Sequence, residues 1–369
     1  MPIYMDRHDV PGATAVDVAR AHQEDLHIQD QYECKAITYW FDEAHGAAFC
    51  LVEAPNKEAV MAMHENAHGL VPHQIIEVQS SVVESFLGRI VDPESANSRE
   101  NDEIVISESA LRAIMCIGLH CTYPGQHTSD ISTIHERKIR SAILDAFKHF
   151  AARPVEIASS LNIATFASVS SAVQCAKEIQ HQTEQFSPTP EHRAPCVRMS
   201  LSTGIPVDGR NELFGKTLQE ARRLCSFARG GQLLLAPSAM QIYRDTAEGE
   251  LKTGNIRAVN PTDFFFLNNL MSVIEETWND PDIQLDDIRD RIGISKSQLY
   301  RKISSLSGYS PIGFLREYRL QQSRECIEKQ SGTVTEIAYE CGFGSLSYFS
   351  KCFRKRFGIS PSEFSSTTG

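Results

Sequence analysis

The sequence predicts a multidomain chain, α+β in its earlier parts and all-α at its C-terminal end. Three observations carry this. Strand and helix patterns follow the order βαββαβ within residues 1–80. A second α/β run follows a polar break at Asp92–Asp102, DPESANSREND, which has a proline and no periodicity. From Leu285 onward strand patterns stop, and one helix-turn-helix plan occurs twice. At 369 residues the chain is too long for one core of ordinary size, so two or three domains are expected.

In the first domain residues 2–8 alternate as a strand, and Thr14–Gln31 is a helix capped by Thr14 with Asp17 in its first turn. Strands Lys35–Phe41 and Ala47–Glu53 flank a turn at Asp42–Gly46. Asn56–His68 is a helix stopped by Gly69, and Gln74–Val78 is a last strand. This order is the ferredoxin-like plan. All thirteen histidines precede Arg193, and seven of them (His8, His22, His27, His45, His64, His68, His73) fall here. His64 and His68 are four apart on one helix, so their side chains point the same way, a spacing suited to two ligands of one metal. His22, Asp25 and Gln29 share a face of the first helix, and Asp6 and His8 share a face of the first strand. His22 is the expected third ligand, with His8 and Cys50 as second-tier candidates. Imidazole with carboxylate or thiolate suits nickel, zinc or copper better than magnesium or calcium. The bland alternative is a set of surface or hydrogen-bonded histidines. The segments AHQEDLHIQDQY, YWFDEAHGAAFCLVEAPN and MHENAHGLVP resemble a family of small bacterial nickel-binding ferredoxin-like proteins. That resemblance implies metal binding, with nickel favoured.

Residues 81–108 are expected to be a linker, and residues 109–267 a middle α/β domain. Leu111–Leu119 reads as a buried strand, His135–Phe150 as an amphipathic helix, and Val155–Ile157 with Leu161–Phe166 as a hairpin. Ser170–Gln185 is a helix, and Ser187-Pro188-Thr189-Pro190 breaks the chain. Strand Val197–Thr203, helix Gly215–Ala228, strand Gln232–Ala236, a short helix and a final strand near Phe264–Leu267 follow. The segments ATFASVSSAVQCAKEIQ, VRMSLSTGIPV and LFGKTLQEARRLCSFARGGQLLLAPSA resemble the catalytic domain of class III adenylate/guanylate cyclases. Such enzymes hold two metal ions on two aspartates. Here Gly118 and Ser160 stand at those places, the base-recognising lysine falls near Glu156, and the asparagine aligns with Gln219. Only Arg223 keeps its type. The resemblance therefore implies a degenerate, non-catalytic cyclase-like domain serving dimerisation or ligand binding, and a homodimer by fold analogy.

Residues 268–369 form the all-α part. Leu285, Ile288 and Ile292 pattern one helix; Gly293-Ile294-Ser295 is a turn, and Lys296–Leu306 is a second helix. Pro311–Lys329 reads as a long connecting helix. The plan then repeats from Val334 through a Cys341–Ser345 turn into a helix bearing Phe349, Cys352, Phe353 and Phe357. Gly308-Tyr309-Ser310-Pro311 and Gly358-Ile359-Ser360-Pro361 end the two copies alike. In each, the glycine stops one helix and the Ser-Pro pair starts the next. The signature from Ala338 to Phe364 resembles the DNA-binding domain of the AraC/XylS family of bacterial transcription regulators. The family pattern implies that Ser297, Tyr300 and Arg301, with Ser347 and Lys351, approach base edges. Lys302, Arg354 and Lys355 go to phosphates. Ser345, placed by the turn to cap the second recognition helix, is also expected among the DNA-binding residues.

The chain is formally −11, yet from Pro281 onward it carries thirteen Lys/Arg against ten Asp/Glu. An acidic body with a mildly basic end suits a protein that meets nucleic acid on one face. The ten cysteines show no CxxC pair and read as reduced thiols. MPIYMDRHDVPG lacks the apolar core of a signal peptide and no run reaches membrane-spanning length, so a cytoplasmic protein is expected. Three function classes compete: a regulator of transcription, a nucleotidyl cyclase fused to a DNA-binding domain, and a metal-buffering protein. The absent carboxylates weigh against the second, and the intact caps and turns against the third. The first is preferred, with double-stranded DNA as partner and RNA polymerase as a further candidate.

Overall fold

The computed structural model describes residues 1–93, 105–106, 108–119, 129–155, 161–185, 197–246 and 255–368. The expected break at Ser187–Pro190 lies outside them, as do Glu156, Ser160 and most of the Asp92–Asp102 stretch. The N-terminal domain runs β1 (Ile3–Asp9), α1 (Ala15–Ile28), β2 (Lys35–Asp42), β3 (Ala47–Glu53), α2 (Lys57–Ala67) and β4 (Gln74–Val78). Its sheet has the order β2-β3-β1-β4, with β1 antiparallel to both neighbours. The predicted βαββαβ order is therefore present. Thr14 and Asp17 form a reciprocal capping box at α1, and Asn56 caps α2.

Side chains alternate across a strand, so this sheet has two distinct faces. Tyr4, Cys50 and Val52 pack with Val18, Val60 and Met63 of the helices. Met5, Phe49 and Leu51 face the other way, into a core shared with the middle domain. Between the two sheets lies α3 (Ser80–Leu87), inside the stretch expected to be linker. Its Val83, Phe86 and Leu87 are buried, one apolar stripe at helical spacing. The buried guanidinium of Arg112 closes its C-terminal end, donating to Phe86 O at 3.2 Å and Leu87 O at 3.0 Å.

The middle domain contains β5 (Arg112–Leu119), α4 (Ser129–His149), β6 (Arg153–Val155), β7 (Asn162–Phe166), α5 (Val169–Gln185) and β8 (Val197–Gly204). It continues with α6 (Gly215–Phe227), β9 (Leu233–Leu235), α7 (Pro237–Thr246) and β10 (Ile256–Ala258). The strand order is β10-β9-β8-β5-β7-β6. β5 is antiparallel to β7 and β8, while β8, β9 and β10 are parallel. Ile143 and Phe147 of α4, Ile179 of α5 and Tyr243 of α7 share one core with this sheet, including Met115, Ile117 and Leu201. The other core joins α6 and β5 to the N-terminal sheet, with Phe86 stacked on Phe214 at 4.9 Å.

The expected strand near Phe264–Leu267 is a helix instead: α8 spans Pro261–Thr277 and crosses the expected boundary at 267/268. An aromatic run reads equally as buried strand or buried helix from periodicity alone. Asn260 decides it, accepting from Asp263 N at 2.8 Å, with Pro261 in the first turn. The remaining helices are α9 (Leu285–Ile292), α10 (Lys296–Ser307), α11 (Pro311–Glu328), α12 (Val334–Glu340), α13 (Leu346–Phe357) and α14 (Pro361–Thr368). Both helix-turn-helix copies are therefore present. Gly308 and Gly358 end α10 and α13 at φ +81° and +82°, where a side chain would strain the backbone. No helix among the described residues is long and apolar enough to cross a membrane.

Candidate functional site

Beneath α1 and α2, on the helix-covered face of the N-terminal sheet, charged side chains meet where only apolar ones would be expected. His64 is fully buried, yet both ring nitrogens face carboxylates: Nε2 lies 2.9 Å from Asp6 Oδ2 and Nδ1 lies 3.0 Å from Asp25 Oδ1. His68 Nε2 sits 3.2 Å from the same Asp25 oxygen, and its Nδ1 accepts from Leu70 N at 3.2 Å. That bond leaves the His68 proton on Nε2, aimed at Asp25. His8 Nε2 is 3.2 Å from Asp6 Oδ1 but lacks the alignment of a hydrogen bond, so both its nitrogens are buried and unpartnered.

The electrostatics follow from this geometry. Burial disfavours the charged form of His64, but Asp6 and Asp25 outweigh it and raise its pKa to about 10. Asp6 is pushed well below the carboxylate range: burial opposes this, and His64 and His8 overcome it. Cys50, on β3 opposite Asp6, keeps its thiol proton because burial and the nearby carboxylates push its pKa well up. Donor atoms of Asp6, His8, Cys50 and His64 all lie within 4.8 Å of one another, and so do those of Asp25, His64 and His68.

Of the predicted ligands, the structure brings together His64, His68, His8 and Cys50. His22 lies outside both groups. It is buried against Tyr39, ring centres 5.1 Å apart, with Nδ1 unpartnered, and burial lowers its pKa. It lines a small cavity of about 60 Å³ together with His8, Asp25, Cys50 and His68. The structure adds Asp6 and Asp25 to the donor groups that the histidine pattern suggests. Their shared faces with His8 and His22 were the signal that could have found them.

At the other end of the chain, Ser295 caps α10 in a reciprocal box with Gln298, and Ser345 accepts from Tyr348 N at 3.4 Å to cap α13. Ser297, Tyr300 and Arg301 on α10 are exposed, as are Ser345, Ser347, Lys351, Arg354 and Lys355 at α13. Lys302 is placed differently from the phosphate contact expected of it. Its Nζ lies 2.6 Å from Asp263 Oδ1 and over the Phe266 ring, so it ties α10 to α8. Arg356 is buried and pairs with Glu317 of α11 at 2.7 and 2.9 Å. Exposed and committed cations thus alternate on these helices according to the side each residue faces.

In the middle domain Arg223 donates to Glu275 of α8 from Nε at 2.9 Å and Nη2 at 2.6 Å. Gln219 reaches the same carboxylate at 3.4 Å. Gly118 has Arg198 packed against it, where an added Cβ would lie 2.8 Å from Nε. Of the site positions implied by the cyclase resemblance, Gln219 and Arg223 are thus engaged with α8 and Gly118 with an arginine.

With these two sites described, the comparisons with known proteins fall on the same two ends. Residues 288–367 match the family described as a helix-turn-helix domain, and residues 4–78 match the family described as nickel responsive protein SCO4226-like. The chain is 33% identical over 95 residues to the HTH-type transcriptional activator RhaS of Escherichia coli (strain K12 / DH10B), covering 26% of this chain and 34% of RhaS. It is 27% identical over 106 residues to Histidine kinase P4 of Formosa agariphila, covering 29% of this chain and 8% of the kinase. The chain thus spans about a third of the length of RhaS and less than a tenth of that kinase. Among solved structures, SCO4226 from Streptomyces coelicolor A3(2) is 36% identical, covering 21% of this chain and 94% of that chain, with a TM-score of 0.20. A transcriptional regulator from Chromobacterium violaceum, described by its AraC-type DNA-binding domain, is 29% identical, covering 30% and 97%, with a TM-score of 0.28. Two classes of module are therefore joined in one chain: a helix-turn-helix domain and a SCO4226-like domain.

Proposed function

We propose that the protein is a sequence-specific DNA-binding transcription regulator whose N-terminal domain senses a transition metal, with nickel favoured. The observation that carries the sensing part is the buried cluster around His64. An imidazole held between two carboxylates, beside two unpartnered His8 nitrogens and a thiol, is a nitrogen, oxygen and sulfur donor set that suits nickel, zinc or copper. His64 would hold the ion either with His68 and Asp25 or with Asp6, His8 and Cys50. His22 would line the adjoining cavity. A bound divalent ion supplies positive charge between the two carboxylates, where the metal-free protein keeps the His64 proton. His64 and Cys50 must each release a proton before they can ligate, so binding strengthens as pH rises.

The DNA part rests on two capped recognition helices with exposed basic and hydroxyl side chains. In this reading Ser297, Tyr300, Arg301, Ser347 and Lys351 face bases, and Arg354 and Lys355 face phosphates. The two helices would enter major-groove segments about one helical turn apart. A path of contacts joins the two ends. Gln74 of β4 exchanges hydrogen bonds with Arg210 O at 2.8 Å and Gly209 N at 3.1 Å, just before α6. From α6, Leu224 and Phe227 enter the core that also holds Leu299 and Ile303 of α10. Metal changes DNA affinity to the extent that it prefers one arrangement of this path over another.

The middle domain, read as a degenerate cyclase-like unit, would serve as this connector, since its Arg223 is spent on Glu275. The operator-bound form would be a homodimer that contacts RNA polymerase. The test is titration of the full chain with nickel and with zinc, coupled to binding of its selected DNA site. A His64→Ala/His68→Ala double variant that binds metal as tightly as the parent sinks the sensing part. Unchanged affinity for selected and random DNA in an Arg301→Ala/Lys351→Ala variant sinks the DNA part.

A further inference from the structure

Between the middle domain and helices α8 and α11 lies a cavity of about 620 Å³, a size that holds small-molecule ligands. The middle domain contributes four arginines to its wall: Arg198, Arg210, Arg222 and Arg223. Two acidic neighbours are already neutralised, Glu275 by Arg223 and Glu317 by Arg356. Glu325 lies 3.8 Å from Lys329, and Glu212 is exposed at the rim. Arg210 donates to Gln219.

Arg198 and Arg222 are different. Arg198 is only 6% exposed, and the Nε atoms of both residues are buried without a hydrogen-bond partner. Arginine does not shed its charge to escape such a place, and a buried guanidinium with unspent donors is costly unless an acceptor completes it. The fold makes room for Arg198: any side chain at Gly118 would meet its Nε. A smaller recess on the Gly118 side adds the exposed Arg140, while Arg324 at the same recess is paired with Glu328 at 2.9 Å.

We propose that this cavity is a binding site for a small, multiply charged organic anion bearing phosphate or carboxylate groups, gripped by Arg198 and Arg222 and walled by α8 and α11. The guanidinium fork matches either group in a bidentate manner. The site shares no residue with the His64 cluster or with the exposed faces of α10 and α13. An occupant would touch the middle domain and helices α8 and α11 at once.

Calorimetric titration of the metal-free full chain with inorganic pyrophosphate and with citrate, at constant ionic strength in chloride, tests this. Binding of pyrophosphate alone identifies a phosphate site, and binding of citrate alone a carboxylate site; binding of both supports the shared anion chemistry. In each case an Arg198→Gln/Arg222→Gln variant is expected to weaken it at least tenfold. An Arg354→Ala/Lys355→Ala variant, altered only on the DNA-facing helix, should leave it unchanged. If the double glutamine variant does not fold, Arg222→Gln alone decides, since Arg222 is only half-buried. The proposal is overturned if neither anion binds, if binding survives the glutamine substitutions, or if it disappears with Arg354 and Lys355. None of these results touches the metal or DNA readouts above.

Discussion

The two helix-turn-helix units share one sequence plan, yet the structure supports them in opposite ways. In the first, Leu299, Ile303 and Leu306 of α10 share a core with Leu224, Phe227 and Leu234 of the middle domain. Arg229 and Arg257 of the middle domain also donate to the Ser305 carbonyl at the end of α10. The second unit has a core of its own: Phe349, Phe353 and Phe357 pack with Ile337 and Ala338 and with Leu320 and Ile327 of α11. A buried Arg356–Glu317 pair ties it to that helix. The first unit is therefore a continuation of the body of the protein, and the second is carried on α11. Any change of arrangement in the body reaches α10 through packed side chains, whereas it reaches α13 through α11 and through α14, which lies against α4 of the middle domain.

The largest test removes one ring from each core. Phe227 lies 4.4 Å from Phe314, and Phe227→Ala should cost about 3–5 kcal/mol. Hydrogen exchange should then rise in the middle domain and the first unit together. Phe353→Ala should cost as much but open the second unit alone; identical exchange patterns would dissolve the distinction. Next comes Arg356→Ala, which strands a buried Glu317 carboxylate and should cost about 3 kcal/mol. The loss should appear as early melting of the second unit, with the first unit's transition unmoved.

The pH dependence of the metal-free protein sharpens the same comparison. His64 has its pKa raised from 6.5 to about 10, so its contribution to stability is complete below pH 6.5 and is lost as pH rises through about 10. Asp6, whose pKa is lowered from 3.8, contributes fully above that value and less as pH falls below it. The N-terminal transition should therefore be most stable between these limits. It should draw the first helix-turn-helix unit with it in thermal melts, leaving the second flat across the same range.

Smaller effects concern the DNA faces. Arg301→Ala should cost about 1–3 kcal/mol on the selected site and relax preference at one base pair. Lys355→Ala should weaken every sequence alike and flatten the salt dependence, as read by binding at several salt concentrations. Smallest is Arg229→Gln, which loses long 3.4 Å bonds from an exposed side chain to Ser304 O and Ser305 O. It should cost about 0.5 kcal/mol and loosen only the end of α10, measured by local exchange.

Much of the site was legible in the sequence. The four-residue spacing of His64 and His68 placed two imidazoles together because helix geometry is local. His22 lies beside these donor groups rather than within them, because its position depends on how α1 lies over the sheet, which periodicity does not report. Arg356 and Lys302 were readable in principle. Arg356 follows Phe349 by seven and Phe353 by three, and Lys302 follows Leu299 by three, so both fall beside the buried stripe of their helix. A basic residue on such a stripe seeks a carboxylate inside the protein before it seeks a phosphate outside.

The sequence by itself determined the local elements and the repeated helix-turn-helix plan, because caps at Thr14, Asn56, Ser295, Ser310 and Ser345 and stops at Gly308 and Gly358 act within a few residues. Only the tertiary structure decided what depends on burial between distant segments. It made a helix of Ser80–Leu87 by closing two sheets over its apolar stripe, and it charged His64 by placing Asp6 and Asp25 on either side of it. It also spent Arg223 and Arg356 on ion pairs while leaving the Arg198 and Arg222 Nε donors unpaired beside a cavity. Desolvation and pairing are properties of a place in the fold, and neighbours in sequence do not define that place.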